Sequence, residues 1–120
     1  MAMAPDVKLF EKFISTKKIL IVDPSSSSRS GLFKIFQELG ARTNQIFLTN
    51  TFKQAEETIA QTQPNIVIAE YEIGKKCGLD LLQNQRQSRP KETKDVLFIV
   101  VTGNTSQTAV AKAAEEDIDA

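Results

Sequence analysis

The 120-residue sequence predicts one α/β domain built on a doubly wound parallel sheet. Short apolar runs rich in Val and Ile recur along the chain and have the length of strands that are buried on both faces. Segments with apolar residues at helical spacing separate these runs. Polar residues or glycines follow the apolar runs, as expected where a strand leads into a loop. The four predicted strands lie at 18–22 (KILIV), 45–49 (QIFLT), 65–69 (NIVIA) and 96–101 (VLFIVV).

Residues 1–17 are predicted to form an N-terminal extension helix, and residues 18–120 the domain proper. After Pro5, which suits the first turn of a helix, apolar residues recur at roughly helical spacing. They are Val7, Phe10, Phe13 and Ile14. Two interpretations stay open: the helix packs on its own domain, or its Phe side chains contact a partner protein or a second copy.

Apolar residues at helical spacing also predict the helices of the domain. The first has one apolar face, is closed by Gly40, and follows four serines at 25–28. These serines favour an N-cap over a phosphate site, because no Gly-rich cradle accompanies them. The apolar faces comprise Leu32, Ile35, Phe36 and Leu39; Phe52, Ala55 and Ile59; Leu79, Leu81 and Leu82; and a weak set of Ala109, Val110, Ala113 and Ala114.

Composition excludes several classes of function. Fifteen basic residues balance fifteen acidic ones, so we expect neither nucleic acid nor a membrane as partner. The sequence contains no His, which excludes His-based catalysis and His-ligated metals. Cys77 is the single cysteine, so an internal disulfide is impossible, and we expect a cytoplasmic location.

Carboxylates follow two of the predicted strands. Asp23 follows the first strand, and Glu70 and Glu72 follow the third. Ligands of open α/β sheets bind beyond the carboxyl ends of the strands, so these residues are candidates for a site. Paired carboxylates suit acid–base chemistry or glycoside hydrolysis in principle, but nothing else in the sequence indicates a substrate pocket. We therefore expect no enzyme activity, and solvent or Lys75 and Lys76 as partners of the carboxylates.

The segment around the third strand resembles the receiver domains of bacterial two-component response regulators. In that family an Asp at the end of the third strand is phosphorylated, an apolar residue follows three positions later, and a Gly stands eight positions after the Asp. Glu70, Ile73 and Gly78 fill these positions, and Gly74 stands where Pro is usual. The resemblance runs from about Lys18 onward and implies a flavodoxin-like sheet with strand order 2-1-3-4-5.

The resemblance also implies where this chain departs from the family. Receivers use two adjacent acidic residues after the first strand to hold Mg²⁺, whereas Asp23 is followed here by Pro24. Thr102 fills the switch position, which contacts the phosphoryl group in receivers. We therefore expect a degenerate receiver that has lost phosphotransfer and Mg²⁺ binding and acts by binding a protein partner in signalling.

Two alternatives stay open. One is a working receiver that is phosphorylated on an unusual residue. The other is a small flavodoxin-like FMN or nucleotide binder, because the run from Thr102 to Thr105 is similar to the flavodoxin phosphate loop.

The fifth strand and helix implied by the resemblance do not occur before Ala120. If the chain ends there, the strand at 96–101 forms a sheet edge that exposes apolar residues and unpaired backbone groups. We expect either that the native chain is longer or that two copies cover each other at this edge, aided by Phe10 and Phe13.

Overall fold

The computed structural model describes residues 3–88 and 96–101, with the main chain alone for residues 3–7 and 88. Its helices are α1 (Met3–Ile14), α2 (Ser26–Glu38), α3 (Phe52–Thr62) and α4 (Gly78–Ser88). Its strands are β1 (Ile19–Val22), β2 (Ile46–Thr49), β3 (Ile66–Glu70), β4 (Glu72–Ile73), β5 (Lys76–Cys77) and β6 (Leu97–Val101). A 3₁₀ turn, Thr43–Gln45, precedes β2.

The main sheet has four strands in the order β2-β1-β3-β6, and all its pairings are parallel. Because β6 is the fourth of the strands expected from the sequence, this order confirms the predicted order 2-1-3-4. The register is level across the centre of the sheet, where Val22 pairs with both Thr49 and Ala69. The carboxyl ends of β1, β2 and β3 therefore lie side by side.

The central strands bury side chains on both faces of the sheet, as the sequence predicts. Alternate residues of β1 and β3 enter two separate hydrophobic clusters. Leu20, Val22, Val67 and Ala69 pack with residues of α3 and α4, including Phe52, Ala55, Ile59, Leu81 and Leu82. Ile19, Ile21, Ile66 and Ile68 pack on the opposite face with Ile14, Ala41 and Ile46.

Helix α2 begins at the predicted serine cap and ends before Gly40, as the sequence predicts, and it is only partly buried. Ser25 caps its start, and Gly40 follows its end with a positive φ of 106°, a conformation that favours glycine. None of its residues is fully buried: Ile35 is 51% exposed, whereas Leu32, Phe33 and Phe36 pack partly against the sheet. The predicted apolar face of this helix therefore covers the sheet only in part.

The segment between β3 and α4 forms a short β-hairpin, which the sequence does not predict. Residues Glu72–Ile73 and Lys76–Cys77 form a two-stranded antiparallel sheet, with Gly74 in the turn at a φ of +62°. Ile73 is buried in the core cluster that includes Leu81 and Leu82. This contact holds the hairpin against the domain.

The N-terminal helix α1 is joined to the domain near its last turn. Ile14 is 2% exposed and belongs to the cluster on the α2 side of the sheet. Gly40 lies against Glu11, where an added Cβ would be 3.1 Å from the Glu11 Cβ. Phe10 and Phe13 are 44% and 53% exposed. The helix thus packs on its own domain through Ile14 and presents its Phe side chains to solvent.

Several expectations concern residues outside the described ranges. They are the switch residue Thr102, the loop at 102–105, the helix face at 109–114 and the connection at 91–95. Within the described ranges, β6 pairs with β3 alone. The covering of this strand by a second copy stays a prediction. No helix among the described residues is long and apolar enough to cross a bilayer.

We predict that Ile14→Ala lowers the free energy of unfolding by about 2–4 kcal/mol, because it leaves a cavity in the cluster beside β1. Phe13→Ala, one position earlier on the exposed side of α1, should change it by less than about 0.5 kcal/mol. Urea unfolding of both variants measures the difference. Equal effects would show that Ile14 does not anchor α1.

Candidate functional site

The predicted carboxylates come together at the carboxyl end of the sheet. Asp23 directly follows β1, and its N–H donates to the Thr49 carbonyl oxygen at 3.0 Å. Glu70 is the last residue of β3 and pairs with Val101 of β6. Because Val22 is level with Ala69, the next residues of the two strands, Asp23 and Glu70, are also level. They line the same cavity.

This cavity has a volume of about 270 Å³ and lies between α2 and the ends of β1, β3 and β6. Four of its lining residues lie on one face of α2, at the spacing i, i+3, i+4 and i+7. Its lining residues are Asp23, Ser28, Gly31, Leu32, Ile35, Glu70 and Val101. The cavity thus combines two carboxylates with a largely apolar wall.

Asp23 is held rigidly. It is 3% exposed, and the Oδ1 atom of its carboxylate accepts a hydrogen bond from the Ser25 N–H at 2.9 Å. The Arg29 guanidinium donates to the main-chain oxygens of Asp23 and Pro24, at 2.8 and 3.3 Å. The turn after β1 is therefore fixed by hydrogen bonds from α2 and from the main chain at its start.

Glu70 lies in an environment that disfavours its ionised form. Burial raises the pKa of its carboxyl group, and the nearby Asp23 carboxylate raises it further. The backbone amide of Tyr71 lowers this pKa, and the Glu72 carboxylate raises it. Among the described residues, no basic side chain contributes to this pKa shift.

The lysines expected beside these carboxylates do not neutralise them. The Lys76 ammonium lies over the Phe52 ring, 4.6 Å from its centroid. Lys75 is exposed and does not line the cavity. Glu72 is also exposed and outside the cavity lining. Of the three carboxylates singled out in the sequence, the structure therefore brings Asp23 and Glu70 together.

Gly78, the first residue of α4, packs against the main chain of Glu70. Its N–H donates to the Tyr71 carbonyl oxygen at 2.7 Å, and an added Cβ would lie 2.5 Å from the Glu70 carbonyl oxygen. Such a distance is far below van der Waals contact, so only glycine allows α4 to begin this close to the end of β3.

The sequence did not reveal the walls of the cavity. Leu32 and Ile35 were predicted only as members of an apolar helix face, and Gly31 and Val101 carry no recognisable signal of a site. The spacing of residues 28, 31, 32 and 35 places them on one helix face. That pattern alone does not tell whether the face lines a cavity or fills the core.

Comparison with known proteins identifies the fold. No protein-family model matches the sequence, and no curated protein is significantly similar to it. Solved structures do match. The signal receiver domain of an HD domain-containing protein from Pseudomonas fluorescens Pf-5 superposes with a TM-score of 0.73, at 23% identity, over 86% of this chain and 71% of that one. The chain has a receiver fold.

Two further structures support the assignment. A LuxR-family DNA-binding response regulator from Staphylococcus aureus superposes with a TM-score of 0.71 at 21% identity, over 86% of this chain and 82% of that one. The chemotaxis response regulator CheY4 of Vibrio cholerae gives 0.72 at 17% identity, over 85% and 81%. At such identities the receiver fold is shared, and the role of each residue must be argued from its own chemistry.

We predict that Gly78→Ala lowers the free energy of unfolding by about 1–3 kcal/mol, because the methyl group collides with the Glu70 carbonyl. Gly31→Ala is the matched control. A Cβ at Gly31 meets no atom within 4 Å, and the change should stabilise α2 by about 0.5–1 kcal/mol. Thermal unfolding distinguishes the two. A neutral Gly78→Ala would contradict the close approach.

We predict that Glu70→Gln stabilises the fold at pH 7. The folded-state pKa of Glu70 lies above the ordinary value of 4.5, so its ionised form is less favourable in the folded chain. The loss of folding stability caused by ionised Glu70 is absent below the ordinary pKa. It grows as the pH rises from the ordinary to the raised pKa and is constant above the raised pKa. Urea unfolding at a series of pH values should therefore show a gain that vanishes in acid.

Glu72→Gln is the control for this pH series, because Glu72 is exposed and lies two residues further on. It should show no comparable gain. A gain for Glu70→Gln that increases toward acid pH would contradict the assigned direction.

Proposed function

We propose that the chain is a signalling domain of receiver fold that binds a protein partner without being phosphorylated. One observation carries the proposal: the residue at the carboxyl end of β3, facing the cavity beside Asp23, is Glu70. Receivers are expected to carry their phosphoacceptor Asp at this place. The Glu carboxylate stands one methylene further from the main chain, and its environment already disfavours negative charge.

The donor set does not fit Mg²⁺, which receivers use for phosphotransfer. Mg²⁺ requires near-octahedral oxygen coordination and is bound through carboxylates. Pro24 offers no side-chain oxygen, and the Oδ1 atom of Asp23 already accepts the Ser25 amide. Among residues 3–88 and 96–101, no group of three His, Cys, Asp or Glu side chains is arranged to hold a metal ion. We therefore propose that Mg²⁺ does not bind.

The cavity also disfavours the flavodoxin-like alternative. Its carboxylates repel the phosphate of FMN or of a nucleotide. A role in signalling through a protein partner is the function that agrees best with the fold and with this cavity.

We predict no phosphorylation of the wild-type chain. Incubation with acetyl phosphate and Mg²⁺, followed by intact-mass analysis, should show no phosphate-sized gain. A stoichiometric adduct that hydroxylamine removes would be an acyl phosphate and would overturn the proposal in favour of a working receiver.

We predict that the double substitution Pro24→Asp and Glu70→Asp restores Mg²⁺ binding. It supplies a second acidic residue after β1 and shortens the carboxylate at the end of β3. Calorimetric titration at millimolar Mg²⁺ should be flat for the wild type and show heat for the double variant. Equal heats for both chains would show that the wild-type cavity already holds the ion.

A further inference from the structure

The outer edge of β2 lacks the features that protect most edge strands. β2 is the last strand of the main sheet on the side away from β6, and within the described residues it pairs with β1 alone. Edge strands are commonly kept from pairing with other chains by charged residues or Pro. The segment 43–52 (TNQIFLTNTF), which contains β2, has no charged residue and no Pro. Its sequence therefore does not oppose pairing with another strand.

Leu48 carries a free main-chain donor and a free acceptor at this edge. The neighbouring Thr49 faces β1, because its carbonyl oxygen accepts the Asp23 N–H at 3.0 Å. Successive residues of a strand direct their main-chain groups to opposite sides, so the N–H and C=O of Leu48 point away from β1. Among the residues that the structure describes, none forms a hydrogen bond with these two groups.

The outward positions on either side of Leu48 are partly occupied. The Ile46 N–H donates to the Thr43 carbonyl oxygen, and the Asn50 N–H donates to the Gln54 Oε1 atom at 3.3 Å. A long peptide strand added to a sheet edge needs free main-chain groups at every second residue. Along β2 and Asn50 the complete free pair lies at Leu48, which fits a short contact better than an extended peptide.

The Leu48 side chain stands beside this free main-chain pair. It lies on the same face of the sheet as Ile46, but it is 46% exposed and does not belong to the cluster that Ile46 joins. Phe47 points to the opposite face and packs partly against the cluster on the α3 side. A strand that pairs at Leu48 therefore also covers exposed apolar surface.

We infer that two copies of this chain associate through β2, antiparallel about a two-fold axis at Leu48. The Leu48 N–H of each copy donates to the Leu48 carbonyl oxygen of the other. The two Leu48 side chains then lie next to each other, and Phe47 of each copy lies opposite Thr49 of the other. An identical strand presents the same single donor and acceptor in return, and an uncharged segment is not repelled by its own copy.

This interface differs from the one expected at the strand 96–101. That strand, β6, leads directly into residues outside the described ranges, so its exposed edge does not indicate a partner. β2 is separated from β6 by β1 and β3. The interface at β2 depends neither on the cavity nor on the absence of phosphorylation, so it can fail while the proposed function holds, and the reverse.

Sedimentation equilibrium of the full chain from about 10 µM to about 1 mM measures this self-association. A contact of four residues per strand is smaller than a standard protein interface, so we expect a weak dimer with a Kd between about 10 µM and 1 mM. Leu48→Lys places a charge at the centre of the interface and should weaken association at least about tenfold. A chain that stays monomeric over the whole range would overturn the inference.

Two matched variants make the same substitution at other exposed Leu residues. Leu9→Lys lies on α1 and Leu97→Lys on β6, and both should leave the Kd within about twofold of wild type, because one added surface charge is screened. Weakening by Leu9→Lys equal to that by Leu48→Lys would show a general effect of charge. Loss of association through Leu97→Lys alone would place the interface at β6. Either result would overturn the inference.

Hydrogen exchange of the unsubstituted chain tests the contact without any variant, and it decides the matter if Leu48→Lys does not fold. The Leu48 amide should exchange about fourfold more slowly at about ten times the Kd than at about one tenth of it, because about four-fifths of the chains are then dimeric. The Thr49 amide, on the β1 side, should exchange equally slowly at both concentrations. Fast exchange of Leu48 at both, or its protection in the dilute monomer, would contradict the proposed pairing.

Discussion

The level pairing of β1 with β3 is the constraint on which the rest of this structure depends. Both strands are buried on both faces, so a shift of the register by one residue would exchange the contents of the two hydrophobic clusters. The same register places Asp23 and Glu70 side by side at the carboxyl end of the sheet. The packing of the core and the electrostatics of the cavity are therefore two results of one pairing.

The carboxylate of Glu70 is unfavourable for stability at this place and informative about function. Burial and repulsion by Asp23 raise the pKa of Glu70, and no basic side chain of the described residues offsets this rise. Perturbed carboxyl groups of this kind concentrate at functional sites. The ionised form of Glu70 thus costs stability at the cavity, while Gly78 and the hydrogen bonds around Asp23 hold both residues in position.

Much of the fold could be predicted from the sequence because its signals are strong and local. The apolar runs of β1 and β3 and the face of α3 at Phe52, Ala55 and Ile59 are buried as expected. The two-residue strands of the hairpin are too short to show alternation, so they were not predicted. The half-exposure of Ile35 was missed because an apolar helix face gives no information about how completely a neighbour covers it.

The candidate site was predictable in its acidic residues but not in its shape. Asp23 and Glu70 follow recognisable strands, and the position of each at a strand end follows from the fold class. The walls of the cavity depend on which face of α2 turns toward β6, a tertiary feature. The hydrogen bonds of Arg29 to main-chain oxygens could not be predicted from the sequence either. An Arg near acidic residues is expected to pair with their carboxylates.

The attachment of α1 has a practical consequence. Ile14 packs among the residues that begin the strands, Ile19, Ile46 and Ile66, so α1 joins the domain at the end opposite to Asp23 and Glu70. A fluorophore attached at the exposed Lys12, in the last turn of α1, would therefore lie at the end of the sheet opposite to the cavity. The end of the sheet beside Ile14 can therefore carry an attachment, while the end with Asp23 and Glu70 stays accessible.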